Sequence, residues 1–496
     1  MRLPRVLLPA DRIASAEVAR GLRMLLLDGV CSQTMLVLSG GAFLVAYAIL
    51  LGASNKVIGL LFAIPWAAQM LQLPSSIIVE RAGLRKAVVV ASAGVSRIAL
   101  LAMAAVPWLF PAPRRLAVLV VSLALFWGIG AVGNCAFSPW MRDLVPDRVR
   151  GRYFGRRLSL AVAVGAAVSV LGGVGVDAYR ARVQPEIGAY SLLLLAAAAV
   201  GFLGIACLLR VPEPRMRRPE ARSVGAALVQ PLRDANFRRL LLFLGTWYFS
   251  VNLATPFFAV YMLTRLHLSM TWIMVLFLLN QGAVAAFLNV WGRLADRFSN
   301  KSVLAAAAPL FMASTVLWPL TGLRSSPAFV LGMLALIHVL AGISTAGVML
   351  CGWNAALKLA PRASTTSYLA TNALVFGAAA SVAPILAGWA LDWTLAQGVA
   401  WTLGGGGLPS LAIDGLDLLF VASVIAGAVA LRFLSRVEER GDIEEMEVFA
   451  ELYAEARTAA RTLASAALFR GFAGFPYDLL RRRPPGEPPS GDGAPE

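Results

Sequence analysis

Twelve apolar stretches, six on each side of a long arginine-rich segment, constrain what this chain can fold into more than any other feature. They cover residues 24–50, 57–78, 87–110, 116–138, 158–176 and 187–209, then 240–263, 270–290, 303–320, 328–350, 368–391 and 416–434. Each approaches the roughly 20 residues that carry a helix across a bilayer, and each is far longer than the alternating segments of about 10 residues that make a barrel wall. With 59% of residues hydrophobic and 14% charged, a soluble core could not absorb the apolar surface. The expected fold is an all-α membrane protein with 12 transmembrane helices.

The arginines set the expected orientation. With loops assigned to alternate sides, the side holding both termini and the 211–239 linker carries 36 of the 44 Lys and Arg residues. The other side carries Lys56, Arg114, Arg115, Arg180, Arg182, Arg265 and Arg324, and Arg97 falls inside a span. Inside-positive loops then predict cytoplasmic termini in a bacterial-type inner membrane. The net charge of +17 is explained by this topology and by contact with anionic lipid, so no nucleic-acid partner is expected. Residues 1–23 carry five arginines and no long apolar run, and the first span lacks a small-residue cleavage site, so it is expected to remain as an anchor. Cys31, Cys135, Cys207 and Cys351 show no paired spacing, and neither a disulfide framework nor a metal site is indicated.

The two halves repeat at an offset near 215. Leu-Val-Pro146 recurs as Leu-Ala-Pro361, Tyr153 as Tyr368, and Asp177 as Asp392, while Glu80-Arg81 returns as Asp296-Arg297. A common offset implies two related six-helix bundles about a pseudo-twofold axis, at residues 24–210 and 240–434, with a cytoplasmic tail at 435–496. The segment Gly292-Arg-Leu-Ala-Asp296-Arg297-Phe-Ser-Asn-Lys301 resembles the signature of the major facilitator superfamily between helices eight and nine. Ser76-Ile-Ile-Val-Glu80-Arg81-Ala-Gly83 is similar to its degenerate partner between helices two and three, with Ser76 and Glu80 departing from glycine and aspartate. Arg142-Asp-Leu-Val-Pro146 through Gly155 looks like the loop after helix four. The resemblance implies transport by alternating access, with helices one, four, seven and ten lining the cavity, but it does not identify a solute. Ser169 stands where the drug–proton antiporter pattern has proline, which argues against that subgroup.

In the signature, a glycine such as Gly292 allows close helix approach, Asp296 can accept from amides at a neighbouring helix N-terminus, and Arg297 can pair across the bundle. Glu80, Arg81, Gly292, Asp296 and Arg297 are therefore the expected conformational gate. Within the spans, Asp28, Arg97 and His338 are ionisable, and a charge there costs about 2.5 to 3.5 kcal/mol unless a cavity or partner receives it. Asp28 reads either as a group near a helix end or as the carrier of a coupling proton. Arg97 reads as an interhelical lock or a ligand, and His338 as a packed neutral ring or a proton carrier.

The amides Gln33, Gln69, Gln72, Asn134, Asn252, Asn280, Gln281 and Asn372 must bond helix to helix or line water. By the resemblance, Gln33, Asn134 and Asn252 are favoured as solute-facing. Trp108, Trp318 and Trp393 fit an interfacial belt. Two distant histidines supply no cluster for a membrane-embedded enzyme, so no catalytic residue or cofactor is expected. The expectation is a monomeric transporter of a small, weakly charged polar organic solute, with protons as a possible coupling ion. An exporter of amphipathic compounds and a non-transporting sensor or scaffold are the alternatives. An amphipathic tail helix is expected from residue 443, followed by a Pro/Gly-rich end that cannot pack.

Overall fold

The computed structural model describes residues 4–439 apart from 5–6, 12, 73, 76–78, 80–82, 216–223, 324–325, 363 and 404–410. The tail, and with it the expected amphipathic helix, lies outside the described residues. The first half holds α1 (Ser15–Ser39), α2 (Gly41–Leu50), α3 (Asn55–Met70), α4 (Arg85–Leu109), α5 (Ala112–Leu144), α6 (Asp147–Arg180) and α7 (Ile187–Leu209). A short helix, α8 (Val224–Arg233), lies in the linker. The second half holds α9 (Ala235–Val260), α10 (Met270–Arg297), α11 (Asn300–Leu320), α12 (Pro327–Leu359), α13 (Thr365–Ala396) and α14 (Gly415–Leu434). Eleven segments among the described residues are long and apolar enough to cross a membrane, with α1 and α2 counted as one. The described part of the remaining expected span, α3, has 16 residues.

Several helices overrun their apolar stretches. At 34 residues, α6 is about 51 Å long, against a hydrocarbon core of about 30 Å. Its first turns therefore carry Arg150, Arg156 and Arg157 on a helix where the hydropathy pattern alone suggests a loop. The opening span breaks between α1 and α2, where Gly41 adopts a φ of +55°. Two three-residue strands, β1 (Trp401–Leu403) and β2 (Leu411–Ile413), pair antiparallel ahead of α14, a small departure from an all-helical chain.

Within the first half α1 packs on α6 and α7, α4 on α5 and α7, and α3 on α5. Within the second, α9 packs on α13 and α14, α10 on α12, and α11 on α12 and α14. The halves meet chiefly where α3 lies along α13 and α6 along α10, two contacts related by the repeat. The largest buried cluster crosses this junction, running from Tyr47, Ile58 and Leu100 to Tyr261, Trp318 and Phe420. Trp318 corrects the belt expectation: it is 1% exposed and stacks on Phe258, whereas Trp108 and Trp393 are each 57% exposed.

Candidate functional site

One face of the molecule carries the first and last described residues. Ala10 donates its amide to the Glu213 carbonyl after α7, and Glu438 after α14 donates to the Asn236 side chain at the start of α9. On this terminal face each half contains a buried carboxylate that caps a helix. Glu213 accepts from the backbone amides of Arg85 (2.8 Å) and Lys86 (3.2 Å) at the start of α4. Arg85, itself 1% exposed, also pairs with Asp143 at 2.6 Å. In the second half Glu439 accepts from the amide of Lys301 (2.9 Å), from Asn300 Nδ2 (2.9 Å) and from Lys358 Nζ (2.8 Å). Burial alone would raise the Glu439 pKa, but the bonds from Lys358, Asn300 and Lys301 outweigh it and hold the carboxyl below the usual glutamate value. Arg85, Lys86 and Asp143 correspond to Asn300, Lys301 and Lys358 at the repeat offset.

The opposite face is clamped between the halves. Asp177, at the end of α6, accepts from the backbone amides of Met270 (3.0 Å) and Thr271 (2.8 Å) at the start of α10, and from the Thr271 hydroxyl. Asp392, near the end of α13, accepts from the amides of Asn55 (3.0 Å) and Lys56 (3.1 Å) at the start of α3. A carboxylate on exposed helix amides is stabilised by both the hydrogen bonds and the helix dipole. Hydrogen bonds between described residues of different halves are confined to these two acids. Beside them the backbones touch: a Cβ at Gly59 would collide with the Pro384 carbonyl, and one at Gly388 with that of Asn55.

Toward the terminal face the halves part. A cavity of about 550 Å³ lies between α3 and α5 on one side and α13 on the other, lined by Trp66, Gln69, Gln72, Asn134, Ser138 and Phe376 among others. Asn134 also lines a recess of about 220 Å³ inside the first half, where α1, α4, α5 and α6 contribute Asp28, Arg97, Asn134 and Arg157. Asp28 is 3% exposed and accepts from Arg157 Nη2 at 3.1 Å, with Ser32 Oγ at 3.4 Å. Arg157 Nε also donates to the Leu25 carbonyl, at 3.0 Å. Arg97 donates through Nη1 to Ser96 Oγ (3.1 Å) and the Ala93 carbonyl (3.4 Å), both on its own helix. A third cavity, of about 330 Å³, brings Gln33 of α1 together with Asn280 and Gln281 of α10.

The expected site residues thus divide among three places. Asp28, Arg97 and Asn134 converge on the recess, together with Arg157, which the hydropathy pattern places in a loop. Gln33, Asn280 and Gln281 converge on the third cavity, although Asn280 Nδ2 is engaged by the His338 carbonyl at 3.0 Å. His338 lines none of these three cavities. Its Nδ1 lies 2.8 Å from the Leu334 carbonyl, and its ring packs between Phe277 and Trp318. Asn252 likewise lies outside these cavities and donates to the Tyr248 carbonyl one turn back, at 2.8 Å. Gly292 makes no close helix approach here, since a Cβ on it would meet only Leu350 at 3.7 Å. Asp296 and Arg297 are exposed at the end of α10, with Arg297 over the Phe298 ring. Glu80 and Arg81 lie outside the described residues. The four cysteines are free, and the described residues hold no metal-binding cluster.

The sequence model of the Major Facilitator Superfamily matches residues 29–384. The chain belongs to that superfamily. It is a multi-pass membrane transporter, as twofold-related six-helix halves meeting at α3/α13 and α6/α10 suggest on structural grounds. No match was found among curated protein sequences. Among solved structures the chain is similar to the nucleoside transporter NupG, with a TM-score of 0.63 at 13% identity over 85% of this chain and 100% of that one. A bacterial homolog of the human lysosomal transporter Spinster, inward-facing and occupied, gives 0.60 at 15% identity over 87% and 98%. The D-xylose-proton symporter gives 0.59 at 14% over 85% and 99%. At these identities the likeness establishes the fold and not the solute.

Proposed function

We propose that the protein moves a small organic solute carrying at most one net charge by alternating access, and that the structure represents its inward-open state. The observation that carries this reading is the asymmetry between the two faces. The face opposite the terminal face is shut by Asp177 and Asp392, while the cavity beside Asn134 lies toward the terminal face. With the termini cytoplasmic, as the arginine distribution favours, that cavity faces the cytoplasm. Glu80, Arg81, Asp296 and Arg297 would then close the cytoplasmic face in the opposite state, so an exposed Asp296 is what the open state requires.

Asp28 is the carboxylate proposed to carry a coupling proton, because it is buried in a span and its partner Arg157 can hold its charged form. The mixed lining of Asn134, Gln69, Gln72 and Trp66 suits a solute with both polar and apolar parts. Counterflow in proteoliposomes with labelled organic acids, amino acids, sugars and nucleosides tests the reading. Exchange of at least one class above empty liposomes is expected. Its absence for all classes, in protein that remains folded, would favour the sensor or scaffold reading.

A further inference from the structure

The recess within the first half holds three charges where two would balance. Asp28 is matched by Arg157 at 3.1 Å. Arg97, on α4, is 8% exposed and has no carboxylate within ion-pair distance among the described residues. Of its guanidinium nitrogens only Nη1 is engaged, by Ser96 and Ala93; Nη2 makes no hydrogen bond among the described residues, and the buried Nε has no partner. A guanidinium presents five donors in a planar fork and stays charged at any relevant pH, so the recess carries one uncompensated positive charge. Uncompensated charge taken out of water is costly unless an anion completes it.

The surroundings narrow what that anion is. The recess measures about 220 Å³, and its remaining polar lining, Ser32, Ser92 and Asn134, supplies neutral groups only. One excess charge calls for a monoanion; a phosphate dianion or a dicarboxylate would leave a buried negative charge unmatched. Asn134 faces both this recess and the larger cavity of about 550 Å³, whose wall includes the edge-to-face pair Trp66 and Phe376 at 4.8 Å. A ligand with its head in the recess would therefore extend past Asn134 along an apolar, aromatic surface.

We propose that Arg97 and Arg157 form the head-group subsite for an organic monocarboxylate whose apolar body lies in the cavity between the halves. This deepens the proposed transport function and rests on it for the direction of access, but binding itself is separately measurable. The planar carboxylate matches the free edge of a guanidinium, and Asn134, which also lines the recess, offers a neutral amide donor. Arg157 then shares its charge between Asp28 and the ligand, and Arg97 contributes the charge that nothing else in the recess offsets.

The test is thermal stabilisation of the purified full chain by benzoate, hydrocinnamate and lactate. Benzamide, benzylamine, inorganic phosphate and chloride are run at matched ionic strength, since a ligand of the folded form raises its apparent stability. Saturable stabilisation by the aromatic carboxylates but not by benzamide is expected. Arg97→Gln should weaken that binding by about 10- to 100-fold, the loss of a charge-assisted contact, and Arg97→Lys by less. If Arg97→Gln does not fold, Arg97→Lys still discriminates. The reaction of phenylglyoxal with Arg97 in the wild-type protein, read by peptide mass spectrometry, should likewise be slowed by benzoate and not by benzamide.

Stabilisation by benzamide equal to that by benzoate, stabilisation by phosphate or chloride alone, or no response to any carboxylate would overturn the proposal. Binding without counterflow of the bound acid would leave the subsite standing and remove the transport reading. Counterflow of a neutral solute with no carboxylate binding would do the reverse.

Discussion

Removing the two clamp charges should open the face that Asp177 and Asp392 hold shut. Asp177→Asn and Asp392→Asn keep the side-chain volume and an acceptor oxygen, so each loses mainly the charge on a helix N-terminus. Both carboxylates are half-buried, and solvent screens part of the interaction. A helix-terminus charge in such a setting contributes about 1 kcal/mol. The two sites lie on different helix pairs, α6/α10 and α3/α13, and share no partner, so their effects should add to about 2 kcal/mol. That corresponds to about 30-fold in the equilibrium between states, enough to lower a closed-face population of about nine in ten to about one in four.

Spin labels at Arg114→Cys and Ala328→Cys, both exposed on that face and on opposite halves, would report the change as a second, longer distance by pulsed electron resonance in a cysteine-free background. Asp11→Asn serves as control, because its pair with Arg215 is 71% and 72% exposed and should contribute little. The packing at Gly59 and Gly388 is untouched, so folded yield should be unchanged. A double variant with the wild-type distance distribution would refute the clamp.

Three further outcomes follow from the charges on and near the terminal face. Asp28→Asn should preserve counterflow but abolish accumulation driven by a pH gradient, and accumulation retained at the wild-type level would move the coupling role elsewhere. Glu213→Gln should lower stability by about 2 kcal/mol, measured as a fall in melting temperature, because it removes the buried charge that caps the start of α4 while Arg85 keeps its pair with Asp143. Glu439→Gln should cost less, since Lys358 is 51% exposed, and its effect should depend on pH. The folded Glu439 carboxyl lies below the ordinary value of 4.5, so its stabilisation is present above that value and is lost as pH falls through the lower folded one. The difference in melting temperature between wild type and Glu439→Gln should therefore hold steady from neutral pH down to mild acid and vanish in stronger acid. A difference that grows on acidification would reverse the sign assigned here.

The bundle architecture was legible because apolar length is a property of single segments, and a membrane demands it of each span separately. The clamp was half legible. Asp177 and Asp392 stood out as a repeat match, but nothing in a linear chain says that the acid ending one helix meets the first amides of a helix in the other half. The capping carboxylates on the terminal face were missed for the same reason. Capping by an acid was expected of Asp296, whereas in this state Glu213 and Glu439 do it, each just past the end of an apolar span. Glu213, standing alone among Arg210, Arg215, Arg217 and Arg218, carried the available signal, whereas Glu439, beside Glu438, carried none.

Arg157 was misplaced by a different mechanism. Hydropathy marks the part of α6 that touches lipid, not the part that is helical, and Arg157 sits one residue before the apolar stretch begins. A long helix can carry such a residue inward along the bundle interior, where neighbouring helices rather than lipid surround it. An arginine bordering a span in a helix longer than the bilayer is thus ambiguous between topology and function. Here the deciding fact is a carboxylate at 3.1 Å on another helix, Asp28, which spends its only charge on that arginine and leaves Arg97 to be matched from outside the protein.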